Sequence, residues 1–390
     1  MREGWKEKKF SELFKDPKKA IISGPFGSNL KSSEYQDDGV PLVRLQNVDR
    51  WAFIDKNIIY ISFEKAKELE SHSYRAGDIL ITKLGAPLGK ACIAPESSGE
   101  GIILADIIRV RLEDQSIDKS FLVYQLNSER ISKQLISLTT GATRPRVTLK
   151  NFRELNFVLP PLSHQHQIVL ILDQAFKKID RAIANIEQNI KNAEELFQSK
   201  LNEVFSKKGE GWEEKKLGEV CILQRGFDLP KRLREKGTVP LVSSSGIIDN
   251  HSQHKVSAPG VVTGRSGSIG SVYFIAQNFW PLNTTLYVKE FFGNDPQYIY
   301  FLLRHFDLKK YATGSGVPTL NRNFVHSEKV IIASDIAKQK SIVKALQTLE
   351  ENKSKLINNW NLKLESLEEL KKSLLEKAFK GELAKEEVGV

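Results

Sequence analysis

From Ile168 onward, apolar side chains recur at Leu172, Ala175, Ile179, Ile183, Ile186, Ile190, Ala193, Phe197, Leu201 and Val204, in steps of three or four. That period lays one apolar stripe along a helix, and no Pro or Gly interrupts it. Ser163, after Pro160-Pro161, is placed to cap the start, and Gly209, just beyond Lys207-Lys208, to end it. At ~1.5 Å of rise per residue the span 163–205 is about 65 Å long, longer than a compact domain accommodates. A second stripe, Ile342, Leu346, Leu349, Leu356, Trp360, Leu364, Leu367, Leu370 and Leu374, runs to Gly381, with Asp335 as its cap and a weaker point at Lys353. One-sided stripes of this length need a partner, and each is the other's nearest candidate, so an antiparallel two-helix coiled coil is expected.

The remaining chain has a different pattern. Short β-rich runs, among them Val40 to Leu45, Asp78 to Thr82, Ile102 to Val110, Val261 to Thr263 and Val272 to Ile275, are broken by Gly, Pro, Asn and Asp. Helix candidates there are Lys119 to Leu138 and Pro296 to Tyr311.

These pieces recur in order. Gly4-Trp5-Lys6-Glu7 returns as Gly211-Trp212-Glu213-Glu214, Val40-Pro41-Leu42-Val43 as Val239-Pro240-Leu241-Val242, and Ala76 to Ile81 loosely as Ala258 to Thr263. Thr140-Gly141 then matches Thr313-Gly314, Leu149 to Phe152 matches Asn321 to Phe324 in part, and Gln167-Ile168-Val169 matches Ser341-Ile342-Val343. An ordered series of this kind marks a diverged duplication of a unit made of a β-rich head and a long helix. The expected fold is α+β: two β-rich domains separated by the coiled coil, a dumbbell with a pseudo-twofold internal repeat. Its segments are a first head 1–162, a long helix 163–208, a second head 209–333, a second long helix 334–383 and a tail 384–390. Trp5 and Trp212 read as core anchors.

Composition narrows the function. The chain has 390 residues, 40% of them hydrophobic and 27% charged, which is globular rather than disordered. Lys plus Arg number 58 against 48 acidic residues, a formal charge of +10 that favours polyanionic partners. Cys92 and Cys221 stand far apart, so neither a disulfide framework nor a zinc site is indicated, and a reducing, cytoplasmic setting fits. No run of about 18 apolar residues suggests a membrane span.

Catalytic signatures are near misses. Gly85 to Ala91 resembles a phosphate-binding loop but is one residue short, lacks the Ser or Thr after Lys90 and contains Pro87, which has no amide donor. Gly264 to Gly270 is not a dinucleotide fingerprint and reads as a tight turn presenting Arg265. The His164/His166 and His251/His254 pairs have no further ligand or base in register and read as solvated. No catalytic, cofactor or metal residue is assigned.

What remains is a set of basic and amide-bearing turns. The loop Thr139 to Thr148 combines Arg144 and Arg146 with Thr143, and its counterpart 313–323 carries Thr319, Arg322 and Asn323. Arg grips guanine O6/N7 in two-point fashion or pairs with phosphate, and hydroxyls reach either. Asn29, Arg44, Gln46, Lys83, Lys90, Arg225, Ser244, Arg265 and Ser266 add donors from neighbouring turns, so double-stranded DNA is the expected ligand. Gly24 to Leu30 and Gln224 to Asp228 occupy corresponding positions, where glycine would allow close approach to a sugar-phosphate backbone.

Together with Gly77-Asp78-Ile79-Leu80-Ile81-Thr82-Lys83, Leu88-Gly89-Lys90 and the run Thr143 to Asp173 through Leu159-Pro160-Pro161-Leu162-Ser163-His164-Gln165, this organisation resembles the DNA-specificity subunits of type I restriction-modification enzymes over essentially the whole chain. That family commonly has Glu before the helix-start Gln, whereas here His164 precedes Gln165 and Lys338 precedes Gln339. The resemblance implies that the heads are target-recognition domains and the helices spacers. It implies further that two methylation subunits dock, supplying S-adenosylmethionine and adenine methylation, that two motor-nuclease subunits can join, and that this chain is not itself an enzyme. Unlike heads imply a bipartite, asymmetric target. The alternative is a stand-alone DNA-binding or coiled-coil adaptor without a methyltransferase partner.

Overall fold

The computed structural model describes residues 4–25, 29–85, 87–139, 147–314 and 318–383. The chain divides into two units, Met1–Ala184 with Lys363–Val390, and Asn185–Leu362.

In the first unit, strand Lys6–Lys9 pairs antiparallel with Asn156–Leu159, Lys6 facing Leu159. A four-stranded sheet runs in the order Ile21–Ser23, Ile107–Val110, Ile79–Thr82, Ala91–Ile93, all neighbours antiparallel. Its two middle strands are buried throughout, which explains continuous apolar runs where a half-exposed strand would alternate. A second sheet has the order Ile59–Ile61, Val40–Val43, Gly101–Ile103, Ser73–Tyr74, with Val40–Val43 and Gly101–Ile103 parallel.

The second unit repeats this plan. Trp212–Lys216 pairs with Lys329–Ala333, and the sheet Ile222–Arg225, Thr285–Glu290, Gly260–Gly264, Val272–Ile275 has the same order and antiparallel sense. In its second sheet Gly246–His251 flanks Val239–Ser243, which runs parallel to Trp280–Pro281. The duplication read from scattered short matches is therefore a duplication of topology.

Three local expectations change. The span 119–138 is two helices, Lys119–Leu126 and Glu129–Leu138, because buried Asn127 turns its carboxamide to the Ala91 backbone and Ser128 caps the second helix. Pro296–His305 stops short of Tyr311, with a 3-10 turn at Leu308–Tyr311. The match of Phe152 to Phe324 is out by one residue: Thr148 and Asn321 are the equivalent caps, buried Phe152 corresponds to buried Val325, and Phe324 is 54% exposed.

The long helices are Leu162–Phe205 and Ile336–Lys380. Ser163 lies inside the first helix, and the Pro161 carbonyl accepts from His164 and Gln165 N–H at its start. Asp335 does cap the second, accepting from Lys338 N–H at 3.1 Å. In the first unit Ile168, Leu172 and Phe176 share a core with Leu375, Ala378 and Phe379. In the second, Phe197, Leu201 and Val204 share one with Val343 and Leu346. The early part of one helix thus meets the late part of the other in each unit, an antiparallel arrangement. The seam differs from the expected stripe at several places: Phe176, Val343 and Leu375 are buried while Leu356 and Leu370 are exposed. Lys371 is buried in it, its ammonium 2.5 Å from Asp180 and over the Trp51 and Phe176 rings. The Lys353 ammonium lies 4.4 Å from the Phe197 ring centre, a cation–π contact at the place that the sequence pattern reads as a weak point.

Candidate nucleic-acid interface

The heads share a hydrogen-bonded frame. Gly24 N–H donates to Ile107 O (3.2 Å) where Gly226 N–H donates to Thr285 O (3.1 Å), and Leu104 N–H to Val43 O (3.0 Å) where Leu282 N–H donates to Val242 O (2.8 Å). Lys83 N–H donates to Asp106 O and Arg265 N–H to Thr284 O, both at 2.8 Å, and their carbonyls accept from Val147 and Leu320 N–H. Lys83 and Arg265 therefore hold one and the same position in the two copies. Gly24 and Gly226 are explained by this frame. A Cβ on either would lie 2.2 Å from backbone atoms of Leu104 or Leu282, so the close approach they permit is to the chain's own crossing segment, not to a sugar-phosphate backbone.

In the second unit the frame gathers polar groups onto one rim. Arg225 pairs with Asp228 at 3.3 Å, and Asn283 Nδ2 donates to that same carboxylate. Arg265 Nη1 donates to Asn283 O at 3.2 Å, Ser244 N–H donates to Thr284 Oγ1 at 3.4 Å, and Ser266 donates its N–H to Thr284 O while bridging to Thr319. Arg225, Ser244, Arg265, Ser266 and Thr319 are thus brought together. Guanidinium, amide and hydroxyl groups on a shaped rim suit hydrogen bonding to base edges and phosphates. Arg322 and Asn323 are exposed on the short helix Arg322–Ser327, where Arg322 Nη1 donates to Leu223 O at 3.4 Å. His326 of that helix accepts from Leu223 N–H at 2.9 Å; burial, then the Arg322 charge, hold its imidazole below the ordinary range. Asp228, Asn283 and Thr284 are rim residues that sequence reasoning missed. Aligning 76–84 with 258–266 and extending the copy would have pointed to Ala105-Asp106 and Asn283-Thr284.

The first unit uses its candidates differently. Lys83 is 9% exposed, its ammonium bonded to Ser23 Oγ and Ala105 O, both at 2.7 Å. This corrects its reading as a surface donor: it braces the turn from within. Arg44 and Gln46 Nε2 both donate to Asn57 O, and Arg44 N–H to Asn47 Oδ1, so Arg44 holds the following turn while Gln46 stays exposed. Lys90 is ion-paired with Asp49 at 2.9 Å; burial would push the Asp49 carboxyl up, but the Lys90 and Arg50 contacts outweigh it and hold it low. Asn29 is exposed. Thr143, Arg144 and Arg146 lie outside the described residues.

Other candidates resolve structurally. Leu88 is buried, and a Cβ on Gly89 would meet Leu135 at 2.4 Å, so this part of the loop packs on the helix Glu129–Leu138. His251 is buried rather than solvated, accepting from Glu235 N–H and set edge-on to Trp280. Burial pushes the Cys92 and Cys221 thiols up to about 12, which makes both poor nucleophiles. Among the described residues no group of His, Cys, Asp and Glu is arranged to hold a metal ion, and no helix is long and apolar enough to cross a membrane.

Comparison with known proteins agrees with the duplicated frame. The profile of the type I restriction modification DNA specificity domain matches twice, over residues 2–192 and 209–366. The type I restriction enzyme MjaIX specificity subunit of Methanocaldococcus jannaschii is 23% identical over 98% of this chain and 94% of its own length. The StySPI specificity subunit of Salmonella potsdam is 30% identical over 36% of this chain and 31% of its own. In fold, the chain is similar to a solved chain from work on complex assembly and conformational transition of the type I R-M system (TM-score 0.78, 17% identity, 98% and 99% covered). It is also similar to the HsdS subunit from Thermoanaerobacter tengcongensis (TM-score 0.56, 18% identity, 98% of each covered).

Proposed function

Because the chain belongs to the type I restriction-modification DNA specificity family, with two specificity domains, we propose that it recognises a bipartite, asymmetric duplex target, one half-site per head, with the helices setting the gap. The observation that carries this is the repeated frame with different side chains on it. Lys83 is spent internally where Arg265 keeps donors at the rim, and Ala105-Asp106 stands where Asn283-Thr284 does. One scaffold with two different polar edges reads two different sequences. The reading residues of the second head are Arg225, Ser244, Arg265, Ser266 and Thr319, with Arg322 and Asn323 contributing alongside. In the first head, Thr143, Arg144 and Arg146 are the proposed readers, with Asn29 and Gln46 at the edges.

Members of this family work with other restriction-modification subunits. Here the chain would dock two methylation subunits, which bind S-adenosylmethionine and methylate adenine, and two motor-nuclease subunits can join, all in the cytoplasm. Its own contribution would be recognition, with the chemistry carried by those partners. The test is to purify the chain with its partners, select bound duplexes from a random library, and map adenine methylation in cells with and without the chain. Two unlike half-sites at one gap, bound with steep salt dependence, are expected. A single contiguous motif, or affinity insensitive to salt, would refute the reading.

A further inference from the structure

Each long helix begins with a buried glutamine whose carboxamide is bonded at both its oxygen and its nitrogen. Gln165 is 1% exposed and Gln339 2%. Gln165 Oε1 accepts from Asp118 N–H at 2.8 Å, and its Nε2 donates to Pro160 O at 2.9 Å and Ser116 O at 3.2 Å. Gln339 Oε1 accepts from Asp295 N–H at 2.9 Å, and its Nε2 donates to Ala333 O at 2.9 Å and Asn294 Oδ1 at 2.7 Å. Asp118 and Asp295 are the caps of the helices Lys119–Leu126 and Pro296–His305, and Pro160 directly follows the last strand of the first head where Ala333 ends that of the second. One side chain thus joins three elements: the head's final strand, the cap of its main helix and the first turn of the long helix.

The two copies have drifted far apart in sequence, yet two of the three bonds, from the capping Asp N–H and to the carbonyl at the strand's end, are the same in both, and the third goes to Ser116 O in one copy and to Asn294 Oδ1 in the other. A joint of three hydrogen bonds, closed to water and with its two corresponding bonds made to backbone groups, fixes direction as well as contact, since a planar amide bonded at both ends cannot rotate freely. We propose that Gln165 and Gln339 are positioning residues that set the angle at which each head carries its long helix, and through that angle the gap tolerated between half-sites. The inference rests on the bipartite reading above. Both glutamines are closed off from a ligand by burial, so each acts through the helix it orients.

The experiment uses the full chain with its methylation partners and a duplex library in which both half-sites are kept and the gap is varied one base pair at a time. Q165M and Q339M keep the side chain's length and remove all three bonds. Expected is unchanged base preference within each half-site, with discrimination between the best gap and its neighbours falling by about tenfold, the scale of ~1.4 kcal/mol. Q165E and Q339E keep the acceptor for the capping N–H but set a carboxylate against two acceptor oxygens, and the same loss of gap discrimination is expected if a Met variant does not fold. A gap preference as sharp as wild type in folded variants overturns the proposal. Loss of half-site reading in both substitutions also overturns it, because the glutamine then builds the head rather than aiming it. A wild-type selection with no second half-site would overturn the underlying function instead, and is told apart by being seen without any variant.

Discussion

Arg265→Lys separates bracing from base reading. Arg265 Nη1 is bonded to Asn283 O at 3.2 Å, and at the equivalent position Lys83 Nζ is bonded to Ala105 O at 2.7 Å. A lysine is therefore a side chain that this frame already accommodates, so R265K keeps the brace and the charge and removes only the planar fork of the guanidinium. The fork's remaining N–H donors are what a guanine would engage, a contact worth about 1–3 kcal/mol of discrimination. R265K is then expected to fold as wild type, to keep first half-site preference, and to lose roughly 5- to 150-fold in discrimination at one base pair of the second half-site. R265A loses the brace too, a further ~1 kcal/mol of stability. The assay is competition binding among duplexes differing at single base pairs, at one fixed salt concentration, with melting of the protein alongside. If R265K discriminates at every position as well as wild type, Arg265 is a brace only and the rim is wrongly assigned.

Other consequences are equally direct. Removing one heptad from both helices, 184–190 and 360–366, shortens them by about 10 Å while keeping the apolar phase, the length of about three base pairs. A selection should return a shorter gap with weaker affinity, because that many base pairs also turn the duplex by about 100°; an unchanged gap counts against the helices as a ruler. Gly226→Ala places a Cβ 2.2 Å from Leu282 O and should lower the second head's stability by about 1–3 kcal/mol or more. Normal melting with lost DNA affinity would instead return that glycine to a DNA role. His326 has a folded pKa below its unfolded value of about 6.5, so the stability it contributes is complete above that pH and is lost as pH falls through the lower folded value. Melting temperature should fall on acidification, and H326Q, which can still accept from Leu223 N–H, should flatten that dependence.

Much of this was legible along the chain. The long helices follow from an uninterrupted period of three to four, because a helix that buries one stripe records that stripe locally; the second runs from just after Asp335 to just before Gly381, whereas the first starts one residue before Ser163 and stops at Phe205, short of Gly209. The duplication was legible because topology, once copied, keeps its turn and core residues in order. What sequence did not disclose was the fate of polar side chains. Lys83 and Arg265 look alike as basic residues after a strand; only the fold shows that one ammonium is consumed by Ser23 and Ala105 and that the other position gathers Asn283, Thr284 and Ser266 around it. Gly24 and Gly226 read as openings for a ligand until the crossing segment that fills them is seen. Hydrophobic periodicity is a property of neighbours along the chain, whereas hydrogen-bond partners lie tens to more than a hundred residues away. The sequence by itself therefore determined the architecture, and the tertiary structure alone decided which polar side chains are spent inside the fold and which stay at its edge.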